Sequence, residues 1–224
     1  MQDWRHVTKL DPDREIDVED IEAVCRSGTD AVVVGGTRGV TEDKARRLLD
    51  AVVENDVDVA LEPSDPTAVV GDETLLVPTV LNADSPTWIV GMHKEWARLS
   101  DVDWSRVYGE AYVVLNPESD VGRVTGARTD LAPDDVAAYA EVATRYMELP
   151  VFYVEYSGTY GDPAVVEAAS RVVTDSLLFY GGGVTDYERA REMAAHADVV
   201  VVGNAVYEEG VDALEDTVRG VRDA

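Results

Sequence analysis

The sequence predicts an α/β fold, a modified TIM (β/α)8 barrel in which the helix after strand three is missing or irregular. Three observations predict it. Short, β-branched apolar runs alternate with amphipathic stretches from one end of the chain to the other. The runs are continuously apolar rather than polar at every second residue, the pattern of strands covered on both faces. Eight such units fit within 224 residues, close to the minimal length of such a barrel. A doubly wound open sheet shares the first two observations, and periodicity alone does not separate the two. No domain boundary, internal repeat or low-complexity segment interrupts the pattern, so residues 1–224 read as one domain.

In order, the strand candidates are His6–Leu10, Ala31–Val34, Val57–Leu61, Thr74–Leu81, Glu110–Leu115, Val151–Tyr156, Ser176–Tyr180 and Val199–Val202. Between the first two, Ile21, Val24 and Cys25 lie at helical spacing, which makes Cys25 a core thiol. After the second, Thr41 is the N-cap of a helix whose apolar stripe is Leu48, Leu49, Val52 and Val53. After the third, the run from Glu62 to Thr74 contains two prolines, a glycine and no helical period. The barrel wall there would lack its outer cover and leave apolar surface for an occupant. His93 falls in a helical stretch, Trp88 to Trp96. Pro133 with Asp134 and Asp135 suits a first helical turn. Asp162 and Thr185 precede two more helices, and a last one is read over Glu208–Asp223. His196 falls in the last turn of the helix after Thr185, where it would compensate the dipole.

Composition excludes several classes of function. With 19 Lys and Arg against 45 Asp and Glu, the net charge is −26, which repels nucleic acid and anionic headgroups. Only three of the cations are Lys, and the acids are spread evenly, a surface suited to a salt-rich cytoplasm; an ordinary acidic mesophile protein is the alternative. A single cysteine excludes an internal disulfide and a Cys-based zinc site. The first residues carry charges where a signal peptide would be apolar, and no uncharged run is long enough to cross a bilayer, so a cytoplasmic protein without stable membrane insertion is expected. His6, His93 and His196 have no second ligand at metal-binding spacing. Nucleophile-elbow, phosphate-loop and dinucleotide motifs are all missing.

The unusual residue clusters all follow strands, at the end where a barrel builds its active site. Lys9, Asp11 and Asp13 leave strand one, where a helix N-terminus would also explain the acids. Gly35, Gly36, Thr37 and Gly39 leave strand two and let the backbone approach a ligand, although a tight turn accounts for them as well. Along strand six, alternation points Tyr153 and Glu155 to the same side, and a carboxylate inside a barrel needs a partner or a task. Gly181, Gly182 and Gly183 follow strand seven, and Gly203 and Asn204 follow strand eight, where barrels commonly cradle a phosphate.

These segments, WRHVTKLDPD, AVVVGGTRGVT, VPTVLNADSPTWIVGMH, YVEYSGTYGDP, LFYGGGV and VVVGNAVYE, occur in this order across nearly the whole chain. Together they resemble the geranylgeranylglyceryl phosphate synthase family, which includes the heptaprenylglyceryl phosphate synthases. The resemblance implies a prenyltransferase that joins a prenyl diphosphate to sn-glycerol 1-phosphate, releases diphosphate and makes an ether of archaeal membrane phospholipid. It implies Mg2+ as cofactor, with Asp11 and Thr37 matching its ligands, and Lys9 matching a glycerol-phosphate-binding lysine. Tyr153, Val154, Glu155, Tyr156, Ser157 and Gly158 match the segment that holds glycerol phosphate, and Gly183, Gly203 and Asn204 complete the phosphate cradle. Glu155 then lies where it could take the proton of the attacking hydroxyl. The resemblance also implies a homodimer. The salt-adapted composition favours a geranylgeranyl diphosphate donor, with a heptaprenyl donor as the alternative. The Leu61-Glu-Pro-Ser-Asp-Pro stretch departs from the apolar-Pro-Gly stretch usual in the family, which leaves the prenyl contacts there open. A phosphate-binding aldolase or isomerase is the competing enzyme, with Lys9 as its only Schiff-base candidate, and a noncatalytic scaffold is the competing class.

Overall fold

The computed structural model describes residues 1–99 and 102–224. Eight parallel strands close in sequence order into one barrel, which decides against the open sheet. They are β1 (His6–Leu10), β2 (Ala31–Gly35), β3 (Asp58–Glu62), β4 (Thr74–Val80), β5 (Val107–Val114), β6 (Val151–Glu155), β7 (Leu177–Gly181) and β8 (Val199–Val202). The helices are α1 (Val18–Arg26), α2 (Glu42–Val53), α3 (Gly91–Leu99), α4 (Asp120–Thr125), α5 (Pro133–Glu141), α6 (Pro163–Ser170), α7 (Tyr187–Ala194), α8 (Asn204–Glu208) and α9 (Val211–Arg222).

The continuous apolar runs divide into two cores because successive strand residues face opposite ways. Val7, Ala31, Val33, Ala60, Leu76, Tyr112, Tyr153, Phe179, Val199 and Val201 fill the barrel. Leu10, Val32, Val34, Leu61, Val113, Phe152, Val154, Tyr180 and Val202 pack outward under the helices. Cys25 is buried on α1 and unpaired, as its spacing predicts. Thr41 caps α2, its hydroxyl accepting from the Lys44 N–H, and Asp162 and Asp186 cap α6 and α7 in the same way.

The link after β3 holds only a short 3-10 turn, Pro66–Ala68, before β4 begins. The wall is open here for a second reason. β3 and β4 share only the pairs Ala60 with Thr74 and Leu61 with Leu75, whereas β4 pairs with β5 over Leu75–Val80. Helix α3 comes in from the next link to roof this seam, and His93 ties it down, its Nε2 lying 3.0 Å from the Pro78 carbonyl and 3.2 Å from the Thr79 hydroxyl.

Several boundaries differ from the sequence reading. β3, β5 and β7 are shifted: β3 ends on Glu62, β5 starts three residues earlier than Glu110, and β7 ends on Gly181. β6 stops at Glu155, one residue short of Tyr156, whose ring lies outside the barrel 6.4 Å from that of Tyr180. The last helix, expected from Glu208, begins only at Val211, since Gly210 at φ +86° stands before its first turn, and the short helix α8 ahead of it was not expected. His196 lies beyond the end of α7 rather than in its last turn. No helix among the described residues is long and apolar enough to cross a membrane.

His6 ties the barrel to the last helix. Its Nδ1 is 2.9 Å from the Thr29 hydroxyl and its Nε2 is 3.0 Å from the Thr217 hydroxyl on α9. Burial, helped by Arg222 and opposed by Asp30, pushes this imidazole down from 6.5 to about 4. Between those values the unfolded chain binds a proton that the folded chain refuses, so stability is complete above pH 6.5 and falls as the pH drops towards 4. The loss is expected to reach about 2 kcal/mol by pH 5, at ~1.4 kcal/mol per pH unit. Thermal unfolding of His6→Gln beside the parent checks it: the parent should lose more Tm between pH 7 and 5, and parallel slopes would assign the acid sensitivity elsewhere.

Candidate active site

The strand ends bring together two pockets of opposite chemistry that share one wall. The polar pocket is lined by Asp11, Arg14, Tyr153, Gly158, Gly181–Gly183, Gly203, Asn204 and Tyr207. The apolar groove lies over the β3–β4 seam, lined by Pro66, Val69, Val77, Val80 and by Trp88, Met92, His93 and Trp96 from α3 and the turn before it. Lys9, Gly36, Thr37, Glu155 and Ser157 line both. The uncovered wall expected from the irregular link is thus occupied by a groove that ends at polar residues.

Glu155 sits at this junction, at the last position of β6, and is 3% exposed. Its Oε1 accepts from the Ser157 N–H at 2.6 Å and from the Ser157 hydroxyl. Burial raises its carboxyl above the usual range, while Lys9 and the two Ser157 donors pull it back part of the way. A carboxylate that is held on one oxygen, and is more basic than usual, can take a proton on the other.

Lys9 is the cation of the barrel interior. Its Nζ is 2.6 Å from Glu62 Oε1, and the Tyr112 hydroxyl donates to Glu62 Oε2 at 2.8 Å. Burial works against the ammonium, but the surrounding carboxylates, Glu62 first and then Glu155, outweigh it and hold Lys9 protonated above its ordinary value. A Schiff-base lysine must be a free amine, so this environment disfavours the aldolase reading. Below the junction Glu110 is fully buried and neither of its oxygens has a hydrogen-bond partner among the described residues. Burial, then Glu62, pushes its carboxyl well up, which favours the neutral acid.

Asp11 lies where β1 ends, with its carboxylate against Gly36, where an added Cβ would push the carboxylate aside. The Asp11 N–H donates to the Tyr207 hydroxyl at 2.9 Å, and its Oδ1 accepts from the Asp13 N–H at 2.9 Å. Asp11 Oδ2 has no protein donor among the described residues. Burial raises the Asp11 carboxyl. Arg14 stacks on the Tyr207 ring, 3.8 Å from its centroid, and donates to Asn204 Oδ1 at 3.0 Å, so the first and last barrel loops are joined across the polar pocket.

Most of the residues singled out in the sequence do converge: Lys9, Asp11, Thr37, Tyr153, Glu155, Ser157, Gly158, Gly183, Gly203 and Asn204 all line the two pockets. Val154 and Tyr156 do not, since their side chains pack in the outer core. Asp13 turns to Lys44, in an ion pair away from the pockets. Glu62, Arg14, Tyr112 and Tyr207 were not singled out. Glu62 carried a signal that could have found it, an acid at the end of an apolar strand with the same inward parity as Ala60.

Comparison with known proteins agrees with this geometry. The model of the PcrB family matches residues 1–222. Geranylgeranylglyceryl phosphate synthase of Halobacterium salinarum is 53% identical over 226 residues, covering 99% of this chain and 96% of that protein. Heptaprenylglyceryl phosphate synthase of Lysinibacillus sphaericus is 47% identical over 225 residues, with 98% and 97% covered. The crystal structure of (S)-3-O-geranylgeranylglyceryl phosphate synthase from Thermoplasma acidophilum in complex with sn-glycerol-1-phosphate superposes with a TM-score of 0.86 at 24% identity, over 99% of this chain and 94% of that one. The two relatives carry the two names that the sequence motifs resemble. Matched along almost its entire length, the chain belongs to the PcrB family.

Proposed function

We propose that the protein joins geranylgeranyl diphosphate to the primary hydroxyl of sn-glycerol 1-phosphate, forming an ether and releasing diphosphate. The observation that carries this reading is the pair of pockets meeting at Glu155: a polar, glycine-lined one for a small phosphate ester and an apolar one for a hydrocarbon tail. The name of the Halobacterium salinarum relative supports the same pair of substrates, and that of the Lysinibacillus sphaericus relative supports a heptaprenyl donor.

In this arrangement the loops at Gly183 and Gly203 take the phosphate of the acceptor through backbone N–H groups. Its primary hydroxyl then faces Glu155, which receives the hydroxyl proton as the oxygen attacks the first carbon of the donor. The bond from that carbon to the diphosphate breaks, and the diphosphate leaves with the electron pair. An allylic carbon ionises readily, so positioning and charge stabilisation do most of the catalysis. Asp11 and Thr37 fit a magnesium ion. They offer only hard oxygens, and Asp11 Oδ2 has no protein donor among the described residues. When bound, such an ion would neutralise charge on the leaving diphosphate. Lys9 adds the fixed positive charge at the junction.

The net charge of −26 is compatible with two anionic substrates because the site is locally different from the surface. Lys9, Arg14 and the backbone N–H groups of the glycine loops face the polar pocket, and salt screens the acidic exterior. The deciding experiment is a turnover assay with sn-glycerol 1-phosphate and diphosphates of increasing prenyl length, with and without magnesium. Ether product from geranylgeranyl diphosphate, dependent on magnesium, is expected; no product from any donor would overturn the reading.

Donor length is read from the wall of the groove. Trp96 lines it from α3, is 5% exposed and is backed by Trp104, whose ring centroid lies 5.6 Å away. Trp96→Leu is expected to lengthen the groove and raise kcat/KM for a heptaprenyl donor at least tenfold relative to geranylgeranyl, since the added methylenes gain burial at ~0.8 kcal/mol each. An unaltered donor preference in the folded variant would place the length limit on another residue.

A further inference from the structure

Glu62 takes no part in the reaction as derived above, yet it is the closest partner of the one cation at the junction. We propose that Glu62 is a positioning residue, which clamps Lys9 between the two substrate pockets and is itself locked by Tyr112. The proposal rests on the prenyl-transfer reading and deepens it.

Four observations carry it. Glu62 closes β3 at the point where the β3–β4 ladder ends, so its side chain turns into the barrel at the mouth of the groove. Its Oε1 holds the Lys9 ammonium at 2.6 Å, a close charged pair. Its Oε2 accepts from Tyr112, whose ring is fixed against Tyr153 at a centroid distance of 4.4 Å. Both oxygens are therefore used, and the carboxylate has one orientation. Lys9 lines both pockets and Glu62 lines only the groove, so the clamp pulls the ammonium to the donor side of the junction and away from the acceptor phosphate.

A lysine stem has several rotatable bonds, and an ammonium free to move would settle on the acceptor phosphate, the densest anionic charge within reach. Clamped, it stays between Glu155 and the space where charge develops on the leaving group, and its position needs no reorganisation during the reaction. The clamp thus withholds ground-state binding from the acceptor in favour of the transition state. That gives it a signature that a merely structural ion pair lacks: breaking it should tighten the binding of the acceptor and slow the chemistry.

The test uses the full chain with Glu62→Gln, which keeps the shape and removes the charge. Circular dichroism and thermal unfolding confirm folding, calorimetry with sn-glycerol 1-phosphate alone gives affinity, and steady-state assays give kcat. Expected are a kcat lowered at least tenfold and an acceptor affinity about two- to fivefold tighter than the parent. A parent-like kcat, or affinity and kcat falling together, would overturn the proposal. If Glu62→Gln does not fold, Tyr112→Phe removes only the hydroxyl that locks the carboxylate. It should lower kcat about threefold without weakening the acceptor, and an unchanged kcat in that variant overturns the clamp. A parent protein that makes no ether product instead removes the prenyl-transfer reading itself, which separates the two failures.

Discussion

Replacing Glu155 by Gln is expected to lower turnover about a hundred- to ten-thousand-fold, the range for losing a positioned general base, while acceptor affinity stays within about threefold. The amide keeps the volume of the carboxyl and its place at the end of β6, but it cannot take a proton. In the proposed arrangement acceptor binding rests on the glycine loops after β7 and β8, which the substitution leaves in place. The pH dependence sharpens the expectation. Burial raises the Glu155 carboxyl, and it must be ionised to act, so the activity of the parent is full above that raised value and falls as the pH drops through it. The acid limb of kcat/KM should therefore lie above the ordinary carboxylate range and vanish from the residual activity of Glu155→Gln. Single-turnover rates from pH 4.5 to 8 measure both effects. Turnover within tenfold of the parent would mean that the hydroxyl proton leaves by another route, with Glu155 only holding Ser157.

How far the sequence led can be judged from particular residues. The barrel was legible because each strand is apolar on both faces, and a run such as Ala31–Val34 has few other uses. The missing helix after β3 was legible because the run from Glu62 to Thr74 has no helical period and is interrupted by two prolines and Gly71. The loops that line the polar pocket showed as glycines after the last two strands. Less legible were residues whose role depends on a partner far away in the chain. Glu62 meets Lys9 across 53 positions, and Arg14 meets Asn204 across 190, and no local pattern announces either pair. Strand ends slipped for a related reason. Tyr156 is as apolar and β-prone as the residues before it and keeps the outward parity of Val154, so its residue type does not mark Glu155 as the last strand residue. Glu110 shows the opposite limit. It was read as the first residue of a strand, where an acid is unremarkable, and the true strand begins earlier and carries it into the barrel.

Gly183→Ala is expected to weaken sn-glycerol 1-phosphate binding at least a hundredfold, through one methyl group. Two effects combine at this position. Gly183 has φ +57°, where an L side chain costs about 1–2 kcal/mol. Its Cβ would also fall within 3.0 Å of the Tyr160 backbone and the carbonyl carbon of Thr159, contacts that only a movement of main chain can relieve. The loop after β7 would have to swing away from the segment that follows β6, and these two segments line the polar pocket together. Backbone N–H groups bind a phosphate only where they converge on it, so a shift of about 1 Å removes their joint action. The outer helices should stay as they are, because α7 is capped independently by Asp186. The apolar groove lies on the other side of Lys9 and has no residue of this loop in its lining. Calorimetry should therefore show the acceptor lost and a prenyl diphosphate still bound. If both ligands bound as in the parent, the phosphate would sit elsewhere than in the β7 and β8 loops. If both were lost while the fold remained, the two pockets would be coupled through Glu155 and Lys9 rather than merely adjoining there.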